Sequence, residues 1–159
     1  MTKTNDTRGA ELVTRKHMQR VSELLGDAAV ELIRRAKTHD LSKLTDTELG
    51  PLQDMQNIID AEGQTPYGGE EYKRRTALLK PMLDHHYSNN PHHPEYYEDG
   101  VDGMDLFDVL EMVHDWKAAS ERGEESSISI SASVERFGIS DQLAQVIRNT
   151  ADSAGWAHK

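Results

Sequence analysis

Apolar residues recur every three or four positions through most of the chain, which is the spacing of one helix face. The stripes predict helices over about 7–25, 45–61, 70–86 and 104–122, with another between the first two that begins after a break at Gly26 and Asp27. Two more are expected, one near Ala132 and one from about 140 to 154. The pattern therefore predicts an all-α fold.

Two segments lack this period. Residues 89–103 combine prolines, glycines and histidines and predict an ordered loop. Residues 126–131 alternate serine and isoleucine as a strand does, but no second segment offers a partner, so we expect a loop there. We expect a single helical domain over residues 1–159, with a core formed by about residues 8–122 and further helices over 132–155.

Composition limits the chemistry and the partners. The 159 residues include no cysteine, which excludes disulfides, thiolate metal sites and cysteine nucleophiles. Any metal must therefore be held by nitrogen and oxygen ligands. The net charge of −10 argues against binding to duplex nucleic acid. No apolar run approaches the ~20 residues that span a bilayer, and the N-terminus lacks the apolar segment of a secretory signal, so we expect a cytoplasmic protein without membrane contact.

Histidine placement is the main chemical signal in the chain. Any single one of the eight histidines is more often an ordinary core or surface residue than a ligand. His17, however, has Val13, Val21 and Leu24 on its own helix face. Its imidazole is therefore expected to point into the core, where it needs a partner.

Two further positions suggest ligands in the same way. His39 and Asp40 end an apolar helical stripe, and the pair offers a nitrogen and a carboxylate oxygen to one ion, a set that suits Fe, Mn, Co, Zn or Mg. Asp115 is expected on a partly inward helix face among other acids, where a carboxylate is costly without a cation. These residues predict a site for a divalent metal.

The string His39-Asp40-Leu41-Ser42-Lys43 resembles the HDxxK signature of the HD superfamily of metal-dependent phosphohydrolases. The order His17, His39–Asp40, Asp115, with each expected on a separate helix, is similar to the H…HD…D ligand pattern of that superfamily. More closely, the stretch from Leu79 to Arg122 resembles a family of uncharacterised phage and bacterial proteins. The resemblance implies an HD-type helical bundle with a metal held by these four ligands, and the host cytoplasm as location if the protein is phage-encoded.

The resemblance also implies roles for single residues. A metal-activated water would attack a phosphate, Asp40 would orient or deprotonate this water, and Lys43, about one turn further on, would offset charge on the phosphate. Some HD enzymes hold a second ion with histidines from the interval that contains His85 and His86. One of these two is therefore expected to bind metal, giving one ion or two.

Further residues are expected at the substrate. His92 and His93 are expected to face it, and Lys80, which lies on the same predicted helix as Arg74 and Arg75, is expected to contribute to an anionic pocket. For the two arginines a solvated helix face is the simpler interpretation. The predicted substrate is a nucleotide or another small phosphate ester.

Two alternatives to the phosphohydrolase remain open. One is an HD-type di-iron oxygenase, which would use the same ligands and two more histidines. The other is a non-catalytic phage interaction protein in which the metal is only structural. Because no GYP motif follows the histidines, cyclic-dinucleotide phosphodiesterase activity is not expected. A homodimer built on a helix face is a further expectation.

Overall fold

Helices dominate the computed structural model, which describes residues 7–65, 69–122 and 127–159. In chain order the helices are α1 (Arg8–Thr38), α2 (Asp46–Glu62), α3 (Glu70–Leu78), α4 (Lys80–Asn89), α5 (Leu106–Ser120), α6 (Ile130–Phe137) and α7 (Asp141–Ser153). Short 3-10 turns lie at Leu41–Leu44, Pro94–Tyr96 and Gly100–Gly103. The predicted all-α class is confirmed.

The predicted break at Gly26 and Asp27 is wrong. The helix α1 runs unbroken for 31 residues, because a single glycine costs a helix only about 1 kcal/mol and Leu25 and Ala28 on either side favour the helical state. The His39–Asp40 pair therefore follows directly after α1, the helix that carries His17. The expectation that His17 and the His39–Asp40 pair lie on separate helices is wrong. The residues expected on an inward face of α1 are exposed, His17 among them.

The chain forms two compact units. The first ends at Thr38, and the second runs from His39 to Lys159. The buried core of the second unit is built by α5, α6, α7 and the segment before α6, with Met112, Ile128, Ile130 and Ile147 at its centre. The C-terminal helices, expected as additions to a core over 8–122, are thus part of that core.

The predicted helix over 70–86 is divided at Leu79 into α3 and α4. Pro81 explains the division, because a proline in the first turn of a helix is tolerated whereas one inside a helix removes a backbone hydrogen bond. The second helix, α4, carries His85 and His86 in its C-terminal half.

The segment around Ile128 does have a pairing partner, contrary to the sequence-based expectation. Its partner is the C-terminus: the Ile128 amide donates to Ala157 O (2.9 Å), and the Lys159 amide donates to Ile128 O (2.9 Å). The contact is one isolated parallel bridge between Ile128 and His158, and none of the described residues forms a longer strand.

The start of α5 is fixed by a capping box. The Asp105 carboxylate accepts from the amide of Phe107 at 2.8 Å and from that of Asp108 at 2.9 Å, and Asp108 accepts from the Asp105 amide at 3.0 Å. Such a cap satisfies amides that the first turn leaves unpaired. It sets the register that places Glu111 and Asp115 one turn apart on α5. No helix within the described residues combines the length and the apolar character needed to cross a membrane.

Two glycines predict opposite effects of an added methyl group. Gly103→Ala is expected to lower the free energy of unfolding by about 1–3 kcal/mol, because the new Cβ would lie 2.8 Å from Tyr97 Cβ. Tyr97 cannot easily move, since its hydroxyl donates to the buried Asp108 carboxylate at 2.6 Å. Gly26→Ala meets no atom within 4 Å and should stabilise α1 by up to about 1 kcal/mol. Urea denaturation of both variants measures this, and an unchanged Gly103→Ala protein would contradict the packing described.

Candidate metal centre

Histidines and carboxylates from four parts of the second unit converge on one cluster. Its members are His39 and Asp40 in the turn before α2, His86 on α4, His92 and His93 in the loop after α4, and Glu111 and Asp115 on α5. His86 and His92 are almost fully buried. These residues can hold a metal ion.

Asp40 lies at the middle of the cluster. Its Oδ1 is 3.3 Å from His86 Nε2 and 3.4 Å from His92 Nε2. Its Oδ2 is 3.4 Å from His39 Nε2 and forms an ion pair with the Lys43 ammonium. One oxygen of the Asp40 carboxylate therefore faces His86 and His92, and the other faces His39.

The backbone at Asp40 is in the left-handed region, with φ of 57°, and no other described non-glycine residue has a positive φ. This conformation costs most L-residues roughly 1–2 kcal/mol, while Asp and Asn tolerate it best. It changes the direction of the backbone at Asp40, immediately before the 3-10 turn Leu41–Leu44. The turn brings both members of the His39–Asp40 pair to the cluster.

The remaining contacts extend the cluster on both sides. His39 Nε2 lies 3.7 Å from Asp115 Oδ1, and His86 Nε2 lies 2.9 Å from His93 Nε2. The ring of His92 packs between those of His39 and His93, with ring centroids 4.5 and 4.2 Å away. Four imidazoles thus present Nε2 toward two aspartates or toward one another.

Carboxylates of the fully buried Glu48 and the partly buried Glu111 contact the Nδ1 side of these rings. His39 Nδ1 is 2.9 Å from Glu111 Oε1, and His92 Nδ1 is 3.3 Å from the same oxygen. His86 Nδ1 is 2.9 Å from Oε2 of the fully buried Glu48. A carboxylate that accepts the Nδ1–H proton leaves Nε2 unprotonated in a neutral imidazole. This is the arrangement in which histidines bind metals in proteins.

Two polar atoms inside the cluster are suited to bind a cation. Asp40 Oδ1 and His92 Nε2 are buried and have no hydrogen-bond partner among the described residues, a costly state unless an ion binds them. Two ligands at ~2.1 Å from one ion are separated by about 3.0 Å in octahedral and about 3.4 Å in tetrahedral geometry. The Asp40–His92 distance of 3.4 Å matches this separation.

Ionisation supports the same use of the carboxylates. Burial raises the pKa of Asp40, but the adjacent His86 and His92 rings and the Lys43 ammonium outweigh it and hold the pKa well below its ordinary value. Burial raises the pKa of Asp115 as well, but the nearby His39 ring outweighs it and lowers the pKa. Both aspartates are therefore charged across the physiological pH range, as metal ligands must be.

The two histidines with shifted pKa values differ in sign. Burial, together with the nearby His92 and His86, lowers the pKa of His93 to about 3, so this ring stays neutral. The Asp115 carboxylate, 3.7 Å from His39 Nε2, raises the pKa of His39 to about 9 against the effect of burial, with Glu111 as a further cause. In the metal-free protein, His39 is therefore the cation of the cluster.

Metal binding should displace the His39 proton. Apparent metal affinity is expected to rise about tenfold per pH unit up to about pH 9, because only neutral imidazole binds metal. The stability of the metal-free protein should change in the opposite direction. The pKa of His39 is higher in the folded state than its unfolded value near 6.5, so protonated His39 stabilises the fold. This contribution to the free energy of unfolding is full below pH 6.5 and disappears as the pH rises through about 9. Chelator competition between pH 6 and 9.5 measures the first trend, and urea denaturation the second. A metal affinity that does not change with pH would contradict the assignment of His39 as a ligand. The control is His158→Gln, which removes a histidine paired with Asp152 and should leave both trends unchanged.

Several predicted site residues are brought together. His39, Asp40 and Asp115 share one group, and His86 lies in another with His92 and His93. His92 and His93, expected to face a substrate, are thus among the candidate metal ligands.

The other predicted residues have different surroundings. His85 lies outside the ligand groups, with its Nδ1 2.7 Å from Glu48 Oε1. The ammonium of Lys43, expected at a phosphate, pairs with Asp40. The Lys80 ammonium lies 2.7 Å from Asp84 Oδ1 on the exposed surface of α4. His17 lies in the first unit, and its participation in the metal site stays a prediction.

Glu48 and Glu111 are the functional residues that sequence reasoning missed. Glu48 lies in the first turn of α2, where an acid is expected for the helix dipole alone. Glu111 precedes Asp115 by one helical turn, and this spacing was the available signal that both face the same site.

A protein-family model described as "Family of unknown function (DUF5662)" matches residues 8–153. The match covers nearly the whole chain, including α1 and every residue of the cluster. No curated protein and no solved structure matches the chain.

Proposed function

Since the chain belongs to the DUF5662 family, whose description assigns no activity, we propose from its own residues that it is a metal-dependent phosphohydrolase. Its substrate in this proposal is a nucleotide or another small phosphate ester. The observation that carries the proposal is the convergence of four imidazoles on Asp40 and Asp115, with Glu48 and Glu111 behind three of the rings. The HDxxK-like string at residues 39–43 agrees with it.

The proposal assigns the metal to two adjoining ligand groups. Asp40, His86, His92 and His93 form the first, and His39, Asp40 and Asp115 form the second. Because Asp40 belongs to both groups, the cluster suits one ion or two. When bound, a divalent ion lowers the pKa of a coordinated water and polarises a phosphoryl oxygen. Nitrogen and carboxylate ligands without sulfur suit Mn, Fe, Co, Zn or Mg.

The protein's own groups contribute charge and orientation. Lys43 has a side chain one-third exposed and an ammonium at Asp40 Oδ2. It lies at the border between cluster and solvent, where a phosphate oxygen can compete for its protons. His93 is neutral at physiological pH because of its lowered pKa. It can therefore act as a metal ligand without first losing a proton.

A phosphate-release screen tests the proposal. Purified protein, first treated with a chelator, is reloaded separately with Mn, Fe, Co, Zn or Mg and incubated with nucleotides and p-nitrophenyl phosphate. We expect metal-dependent phosphate release by the wild type and none by Asp115→Asn, which removes a ligand charge. The matched control is Asp99→Asn, an exposed aspartate that should leave release unchanged.

Other outcomes identify the alternatives. The four-imidazole cluster also suits two irons, and an oxidative function would appear as bound iron with an absorbance change in air and no phosphate release. Bound metal without either reaction, together with loss of structure on chelation, would indicate a structural site. Failure of all five metals to bind would overturn the assignment of the cluster.

A further inference from the structure

A second feature of the same unit is a cavity of about 630 Å³ beside the C-terminal half of α2. Met55 and Ile59 of α2 line one side, and Leu79, Leu83 and Tyr87 line another. Leu79, at the start of α4, and Leu83 and Tyr87 within it are spaced every four positions, so they lie along one side of that helix. The volume lies within the range of roughly 300–1,000 Å³ that small-molecule sites occupy.

The described lining of the cavity differs in charge from the protein as a whole. Three arginines, Arg75, Arg122 and Arg136, line it, and none of the described lining residues is an aspartate or a glutamate. The chain as a whole carries 28 acidic and 18 basic residues. A wall of this composition favours an anionic ligand, although Arg75 and Arg136 each also pair with a carboxylate that does not line the cavity.

The three arginines differ in how strongly they are held. Arg75 is buried, and its guanidinium donates to Glu71, Glu62 and the Gly63 carbonyl at 2.8–2.9 Å. It forms a fixed part of the wall. Arg136 is about half exposed and pairs with Glu95 at 2.9 Å, and Arg122 is exposed. These two guanidiniums can reorient toward a ligand.

Aromatic and apolar groups complete the wall. Tyr72 and Tyr87 line the cavity together with the leucines, and each tyrosine has an aromatic ring face and a hydroxyl group. We propose that this cavity binds an organic anion whose apolar or aromatic body packs against Met55, Ile59 and Leu83 and whose charged group pairs with Arg122 and Arg136. The anionic group is a carboxylate, sulfonate or phosphate ester, since a guanidinium donates two parallel hydrogen bonds to each.

This inference does not rest on the metal centre, because no metal-ligand residue lines the cavity. Tyr87 is the nearest link between the two sites. It lines the cavity, and its ring centroid is 4.9 Å from that of His93.

The test uses 2-naphthalenesulfonate as the anionic probe and 2-naphthol as its neutral counterpart. Full-length protein carrying ¹³C-labelled methionine and isoleucine methyl groups is titrated with each after chelator treatment, so that metal is absent. We expect saturable shifts at the methyls of Met55 and Ile59 with the sulfonate and at least tenfold weaker binding of the naphthol. Arg122→Gln and Arg136→Gln should each weaken sulfonate binding about fivefold to tenfold. Arg74→Gln is the control: this exposed residue is adjacent to Arg75 and does not line the cavity.

Two results would overturn the inference. One is equal affinity for the sulfonate and the naphthol, which would show an apolar cavity without anion recognition. The other is a shift confined to the exposed Met18 of α1, which would place the probe outside the cavity. Retention of probe binding by a protein that binds no metal separates this inference from the proposed function. Methyl spectra of the variants without probe show whether each one is folded.

Discussion

Asp40→Asn is expected to lose bound metal and phosphate release together, by on the order of 100-fold or more, while the helical content stays unchanged. The asparagine retains the shape of the side chain but loses its charge, so it cannot balance a divalent ion between His86 and His92. Asparagine is the informative choice because it tolerates the left-handed backbone at this position. Alanine would add backbone strain to the loss of the ligand.

The measurement is elemental analysis of bound metal per chain, with circular dichroism as the test of folding. Asp84→Asn is the matched control, since Asp84 is an exposed carboxylate that also pairs with a lysine, Lys80. It should bind metal as the wild type does. If Asp40→Asn retained a full complement of metal, Asp40 could not be a ligand, and the centre would have to be reassigned.

The second large effect is expected at Glu48, a residue that does not belong to any ligand group. Glu48→Gln should weaken metal binding by about 10–100-fold. The glutamate is fully buried and accepts from both His85 and His86. An amide offers only one acceptor oxygen, so its NH₂ group must face one of the two Nδ1 atoms. That histidine would then favour the tautomer with its proton on Nε2, which cannot bind metal.

Metal affinity by chelator competition separates this orienting role from a merely structural one. His85→Gln provides the discriminating comparison, because it removes the second partner of Glu48 but leaves the Glu48–His86 contact. We expect it to change affinity by less than about threefold. Glu70→Gln, at an exposed glutamate paired with Lys73, controls for loss of charge. An unchanged affinity in Glu48→Gln would show that His86 is oriented by other contacts, such as that of Asn90, whose amide lies 3.1 Å from His86 Nδ1.

The helical class was predictable because the apolar stripes of α2, α5 and α7 are long and regular. The boundaries that failed did so for local reasons. Gly26 does not end the helix, because the cost of one glycine is small compared with the helix propensity of its neighbours. Pro81 was overlooked, although it explains why one predicted helix became α3 and α4.

Part of the site was predictable as well. His39, Asp40 and Asp115 could be identified because they end or interrupt apolar stripes, where a polar side chain requires a partner. Glu48 could not be identified from the sequence, because its burial depends on the packing of α4 against α2, which is a long-range contact. His92 and His93 lie in a segment without helical periodicity, so the direction of their rings was not encoded in any repeating pattern.

The cluster connects distant parts of the chain, since His39 at the start of the second unit lies beside Asp115 on α5. An ion held between them would link these parts only in the folded state, since the unfolded chain does not bring the ligands together. Binding to the folded state alone also shifts the folding equilibrium by mass action. In a cell, a fall in metal supply would then shorten the lifetime of the protein by exposing more of it to proteases.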